Sequence, residues 1–187
     1  KTKPLSSVVS TIEVSAIKRV QNLAAASKGT ISLAQGTPSF FTPDHIKRAV
    51  KEAMDENLTD KYTIGWGIPP LREAIAAKLK KQNKINATTE QIIVTHGAIQ
   101  GVMAIFMTIL NPGDEIILLT PDYASHVTQA KIALHGANPT FVPLTETKNG
   151  WVLDPDRLKK AVTKKTKAIL ICNPCNPTGK VYTREEL

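Results

Sequence analysis

Three observations predict an α/β fold, a three-layer sandwich with a mostly parallel sheet covered on both faces and a helical segment ahead of it. From Gln91 onward short apolar runs alternate with amphipathic stretches, the rhythm of strand and crossover helix. Before Gln91 the apolar residues recur at helical spacing. The run Ala168-Ile169-Leu170-Ile171-Cys172 then stops against Asn173-Pro174-Cys175-Asn176-Pro177-Thr178-Gly179. Each proline there fixes φ and removes an N–H, and the asparagine before it is pushed to extended geometry, so the chain turns sharply where a buried strand ends.

Taken in order, Ser10 to Ala26 carries Ile12, Ala16, Ile17, Val20, Leu23 and Ala24 on one stripe, which predicts a helix ended by Gly29. Ile31-Ser32-Leu33 is a short apolar piece and Gly36-Thr37-Pro38 a loop. Thr42-Pro43-Asp44 opens a second helix with Ile46, Ala49, Val50, Ala53 and Met54 on one face. Tyr62 to Pro70 is turn-rich, and Leu71, Ile75 and Leu79 mark a third helix behind Pro69 and Pro70. The alternating region then reads as strand Ile92–Thr95, helix Gly97–Leu110, strand Glu115–Leu119, helix Tyr123–Leu134, strand Thr140–Val142, helix Pro155–Val162 and strand Ala168–Cys172. No internal repeat or low-complexity linker interrupts it.

With 187 residues, 42% of them apolar, the chain can bury a real core. The balance of 24 Lys and Arg against 16 Asp and Glu gives a net charge of +8. These cations spread along helices, as in Lys78, Lys80, Lys81 and Lys84 or Lys159, Lys160, Lys164, Lys165 and Lys167, without interleaved aromatics, so solvated faces rather than a nucleic-acid surface are expected. No stretch has the length of a membrane span and Lys1-Thr2-Lys3-Pro4 leads into no signal core, which predicts a cytoplasmic protein. Cys172 and Cys175 have C-x-x-C spacing. A redox pair would open a helix, whereas these are split and followed by Asn-Pro, and two thiolates cannot complete a tetrahedral zinc site. Cys172 reads as the last buried strand residue. His45, His126 and His135 lie on helical segments without carboxylate or cysteine partners at metal spacing, so no metal site is expected.

Strand ends of open α/β sheets are where ligands bind. At Gly97-Ala98-Ile99, behind Thr95 and His96, a helix opens, and its N–H groups and dipole favour a phosphate dianion that Gly97 lets approach. The same pattern serves plain strand-helix packing. Asn176 carries a carboxamide that can hold an oxygen of a bound molecule without adding charge. Tyr123, after Pro121-Asp122, offers either a ring over core or a stacking plate.

These segments, with Leu33-Ala34-Gln35-Gly36-Thr37-Pro38, Tyr62 to Gly67, Leu71-Arg72-Glu73-Ala74, Val94-Thr95-His96-Gly97-Ala98 and Asn111-Pro112-Gly113-Asp114-Glu115, resemble the fold-type I pyridoxal-phosphate aminotransferases, the family that includes aspartate aminotransferase, in order and approximate spacing over nearly the whole chain. The resemblance implies an incomplete cofactor-binding large domain over residues 57–187, and over residues 1–56 a segment of the smaller domain and dimer contact. It implies that the amides of Gly97, Ala98 and Ile99 hold the cofactor phosphate and that Tyr123 stacks on the pyridine. Asn176 would bond the cofactor's 3′ oxygen and neighbour the substrate carboxylate, and Gly36 would face that carboxylate. The Tyr62 phenol would reach the phosphate of the other subunit in a homodimer. His96 orients locally. A cis bond is implied at Asn176-Pro177 and allowed at Thr120-Pro121.

The family's Schiff-base lysine, its pyridine-nitrogen aspartate and its carboxylate-binding arginine all belong to segments with no counterpart in these 187 residues. Thr145-Glu146-Thr147-Lys148 mimics a lysine context but reads as a polar loop with a solvated Lys148. No catalytic residue is therefore assigned, the sequence reads as an N-terminal fragment, and the 187-residue chain alone is expected to be inactive. The parent is expected to move an amino group between an amino acid and a 2-oxo acid with pyridoxal 5′-phosphate. Carbon-sulfur lyases and non-catalytic ligand-sensing domains share the architecture, although no helix-turn-helix accompanies it here.

Overall fold

The computed structural model describes residues 3–4, 6–13, 16–31, 33, 36 and 38–187. In chain order its elements are α1 (Ser7–Ser10), α2 (Ala16–Ala26), α3 (Asp44–Asp55), α4 (Pro69–Lys78), α5 (Gly97–Ile109), β1 (Glu115–Thr120), α6 (Ala124–Ala133), β2 (Thr140–Pro143), β3 (Thr145–Thr147), β4 (Gly150–Val152), α7 (Pro155–Ala161) and β5 (Thr166–Leu170), with a π turn at Leu79–Asn83 and a 3₁₀ turn at Thr89–Gln91. The chain forms two compact units, residues 1–15 with 97–187, and residues 16–96.

In the first unit β1 is the centre of a three-stranded parallel sheet of order β2-β1-β5. Its Ile116, Ile117, Leu118 and Leu119 are all buried, the first three with no exposed surface. Because side chains alternate along a strand, Ile116 and Leu118 pack with Phe106 and Leu110 at the end of α5, with Ala130 and Ala133 of α6 and with Leu134 at its C-terminal cap. Ile117 and Leu119 face the other way, into Val142, Leu144, Leu153 and Tyr182 with Trp151, Leu158 and Ala161 against them. Helix layers thus cover both faces, the sandwich the alternating pattern predicts. The turn into β1 uses Gly113 at φ +91, and the Asp114 carboxylate accepts the Asn111 N–H at 2.8 Å. Helix α7 is capped by Asp154, whose carboxylate accepts from the N–H groups of Asp156 and Arg157.

Three expectations in this unit are corrected. Thr145 to Lys148 is not a loop: β3 and β4 form an antiparallel hairpin, and Lys148, exposed as expected, lies in its turn. Gly150 at φ +104 closes that turn. The last strand ends at Leu170, so Cys172 lies beyond it and is half-buried. As an edge strand pairing only with β1 among the described residues, β5 leaves Ile169 40% exposed, and the apolar run does not mark a strand buried on both faces.

The second unit is helical, with α4 running through the π turn and the Arg72 guanidinium donating to the Thr89 carbonyl at 2.9 Å. Thr88 and Gln91 form a reciprocal cap on the 3₁₀ turn. The strand expected at Ile92–Thr95 is absent. The segment has no ladder partner among the described residues, and the Val94 N–H donates to the Trp66 carbonyl instead. A β carbon at Gly67 would run into the Val94 side chain, so this close approach requires glycine. The single helix expected over Ser10–Ala26 is divided: Thr11 to Glu13 are not helical, and the Ser10 and Thr11 hydroxyls donate back to the Ser7 and Val8 carbonyls. Val14, Ser15, Ser32, Ala34, Gln35 and Thr37, on which parts of the expected helix, the Ile31–Leu33 piece and the Gly36 loop fall, lie outside the described residues. Helices α2 and α3 have no buried residue, with Val20, Leu23, Ile46, Val50 and Met54 exposed.

Truncating a fully buried strand residue removes contacts and leaves a cavity, so Leu118→Ala is expected to lower unfolding free energy in urea by about 2–5 kcal/mol, against roughly 1 kcal/mol for removing the cap in Asp154→Ala. Amide hydrogen exchange is expected to be slowest in β1 and far faster in α2 and α3.

Candidate functional site

Since β1 and β5 run parallel with Leu118 opposite Leu170, their carboxyl ends emerge at one edge of the sheet. The loop after β1 carries Pro121, Asp122 and Tyr123; the loop after β5 carries Asn173 to Gly179. Burial of Cys175 joins them, its thiol donating to the Pro121 carbonyl at 3.4 Å. The β5 loop closes on itself through Gly179 N–H to the Cys175 carbonyl at 2.7 Å and Cys175 N–H to the Lys180 carbonyl at 2.8 Å. Asn173 turns its carboxamide inward to accept the Tyr182 N–H at 3.2 Å. Asn176 does the opposite: it is exposed and its carboxamide makes no hydrogen bond to the described residues. Peptide bonds at Thr120-Pro121, Asn173-Pro174 and Asn176-Pro177 are cis, the first and last as the resemblance allowed or implied.

Tyr123 caps α6 from its N-terminus. Its N–H donates to Asp122 Oδ1 at 2.7 Å, and its ring meets His126 edge-on, centroids 5.4 Å apart at 85°. His126 Nδ1 lies 3.1 Å from both Asp122 oxygens, with the Asp122 side chain 3% exposed. This corrects the expectation that His126 lacks a carboxylate partner; an Asp and a His four residues apart at a helix start are neighbours in space. Among the described residues no cluster of three or more His, Cys, Asp or Glu side chains could hold a metal ion, and no helix is long and apolar enough to cross a membrane.

Gly97, Ala98 and Ile99 form the first turn of α5. Gly97 has φ +72 with open space where a β carbon would stand. Ile99 keeps its side chain half exposed, and its carbonyl accepts a hydrogen bond from the Gln129 carboxamide on α6. The structure therefore connects the Tyr123 and Asn176 loops through Cys175, and the Gly97–Ile99 turn to α6, the helix Tyr123 begins, through Gln129. Within the other unit Gly36 and Tyr62 are both exposed, and the described structure ties neither side to a partner in that unit. Sequence reasoning missed Cys175 as an anchor, the Asp122–His126 pair and Gln129. Only the pair had a readable signal, its four-residue spacing.

Beneath the β5 loop, Lys180 Nζ donates to the Trp151 carbonyl at 2.8 Å and to Glu186 at 2.8 and 3.1 Å, and lies 4.8 Å from the Tyr182 ring centroid. The Lys180 hydrogen bond, then the Thr183 N–H, hold the Glu186 carboxyl below the ordinary glutamate range. Burial first, with Cys175 and Glu186 adding unfavourable charge, pushes the Tyr182 phenol from 10.0 up to about 12.

A parallel sheet with polar loops gathered past the carboxyl ends of β1 and β5 is an α/β domain with its loops where open sheets of this kind place their ligand sites. The chain belongs to the aminotransferase class I and II family, whose model matches residues 28–187. It is 44% identical over 177 residues to an aspartate aminotransferase of Pyrococcus abyssi, covering 94% of this chain and 44% of that protein. A probable N-acetyl-LL-diaminopimelate aminotransferase of Bacillus subtilis is 42% identical, again over 94% of this chain and 44% of the relative. The solved aspartate aminotransferase of Rhizobium meliloti superposes with a TM-score of 0.89 at 32% identity, over 100% of this chain and 46% of that one. The chain thus spans less than half the length of these relatives.

The two pH effects have opposite signs. Below pH 10 the buried phenol is protonated in folded and unfolded chains alike, so its contribution is intact there and lost as pH rises toward about 12. Glu186 contributes above the unfolded carboxylate value of ~4.3 and loses that contribution as pH falls through its lowered folded value. Unfolding midpoints across pH should accordingly fall at both ends, and Tyr182→Phe should abolish the alkaline step alone.

Proposed function

We propose that this chain is the N-terminal part of a pyridoxal-phosphate aminotransferase that moves an amino group between an amino acid and a 2-oxo acid. The observation carrying this reading is the joining of the loops after β1 and β5 by Cys175 at the carboxyl edge of the sheet, in a chain 44% identical to an aspartate aminotransferase. A flat phosphorylated aldehyde fits the residues present. Open space beside Gly97 admits a phosphate to a helix N-terminus, an edge-supported aromatic ring is offered by Tyr123, and the uncommitted carboxamide of Asn176 can bond an oxygen.

In this reading the amides of Gly97, Ala98 and Ile99 bind the phosphate, Tyr123 covers the pyridine, and Asn176 bonds the 3′ oxygen and, with Gly36, borders the substrate carboxylate. The cofactor, when bound, supplies the electron sink for the amino acid's α carbon. Tyr62 contributes to the phosphate site of a second subunit, so the protein works as a homodimer, and it does so in the cytoplasm. Residues 1–56 serve the smaller domain and dimer contact and residues 57–187 the cofactor domain. No lysine among these residues is assigned the covalent role.

The full polypeptide that carries this chain is expected to convert an added 2-oxo acid to its amino acid at the expense of a donor amino acid. Release of pyruvate and ammonia from a cysteine conjugate without amino transfer would replace this reading with elimination. Asn176→Ala is expected to weaken pyridoxal-phosphate binding about three- to tenfold, the worth of one hydrogen bond, measured by equilibrium titration.

A further inference from the structure

Gln129 is buried as a whole, at 5% exposure, the one polar residue so buried among the described residues. It lies on α6 beside Ala130, a member of the apolar core, and reaches the first turn of α5. A carboxamide in such surroundings is unfavourable unless its donors and acceptor are met. One donor bond is made, from Nε2 to the Ile99 carbonyl, while Oε1 is buried with no partner among the described residues. Flipping the amide would set oxygen against oxygen at Ile99, so the orientation is dictated by that carbonyl. The residue therefore sacrifices half of its own hydrogen bonding to hold one peptide of the first turn of α5.

We propose that Gln129 is a positioning residue for the phosphate-binding turn, holding the Ile99 end of Gly97–Ile99 against α6 so that the turn's amides converge on one phosphate; this rests on the phosphate role proposed above for that turn. The peptide is planar, so a bond that holds the Ile99 carbonyl also holds the Gln100 N–H in the same plane and restrains ψ of Ile99, the end of the turn from which the preceding amides are built. The Ile99 side chain, half exposed, gives the turn little packing of its own. Amides bind an anion only along their N–H directions, so loosening this turn reduces phosphate affinity without touching the rest of the ligand.

The test uses the full polypeptide, with Gln129→Met as a volume-conserving change that removes the donor and the orphaned acceptor together, and Gln129→Leu as a second variant. Affinities for pyridoxal phosphate and for phosphate-free pyridoxal are measured by equilibrium titration, alongside thermal unfolding. The expected result is about a fivefold loss for pyridoxal phosphate, the worth of one neutral hydrogen bond, no change for pyridoxal, and an unfolding temperature equal to or above that of the parent. Equal losses for both ligands, or a loss that follows a lowered unfolding temperature, would make Gln129 a packing residue and overturn the proposal. If the unaltered protein binds the two ligands equally, the phosphate role of Gly97–Ile99 falls and the proposal with it; if it discriminates and both variants discriminate as well, the proposal alone falls.

Discussion

Four consecutive aliphatic side chains, Ile116 to Leu119, point alternately into two separate apolar layers, and neither layer closes without them. A strand in that position cannot slip by one residue, because a slip would exchange the two sets of side chains between layers that differ in shape. Its register with β2 and β5 is thereby set, and so is the edge at which all three strands end. The Leu144 N–H donates to the Thr120 carbonyl at 2.7 Å, so the exit from β2 is held to the exit from β1. Everything proposed to touch a ligand in this unit hangs from that edge or from the helix packed behind it.

Beyond the strands, polar ties replace apolar packing. Cys175 holds one loop to the other with a weak thiol donor, and the Asp122 carboxylate collects the Tyr123 N–H and the His126 ring on the opposite flank of the same turn. Such bonds contribute little net stability apiece. Their value is directional: His126, bonded to Asp122, stands perpendicular to the Tyr123 ring and supports it from one side. Asn173 and Asn176 divide the labour within one loop, the first spending its carboxamide on the fold and the second keeping it exposed.

What the sequence made legible follows the same division. The alternation from Gly97 to Leu170 was readable because strand and helix periods are local properties, and every helix expected there is present within a residue or two of its ends. Ile92–Thr95 misled because a β-branched run states a preference for extended backbone, while a ladder requires a partner strand, and none pairs with this segment among the described residues. The β3–β4 hairpin was missed for the converse reason: Thr145-Glu146-Thr147 is exposed on both faces and carries no alternation, and Lys148-Asn149-Gly150 was the only turn signal. Cys175 and Gln129 could not be read at all. Their partners lie 54 and 30 residues away, and no local pattern encodes a contact of that range.

The net charge of +8 would suggest that an anion is attracted by side chains, yet Gly97–Ile99, Pro121–Tyr123 and Asn173–Gly179 contain no lysine or arginine. The densest basic run, Lys159 to Lys167, belongs to α7 and the approach to β5. The part of a phosphate's binding proposed for the Gly97–Ile99 turn is therefore that of backbone amides and the α5 dipole. Lysine side chains follow a moving anion, whereas amides do not: their direction is that of the peptide planes and their reach is a single hydrogen bond. A site of this kind depends on the direction of its backbone amides more than on its charge, and the side chains of the turn, none at Gly97 and a half-exposed one at Ile99, add little to the α5 ladder that sets that direction. The buried bond from Gln129 on α6 to the Ile99 carbonyl ties that turn to a second helix.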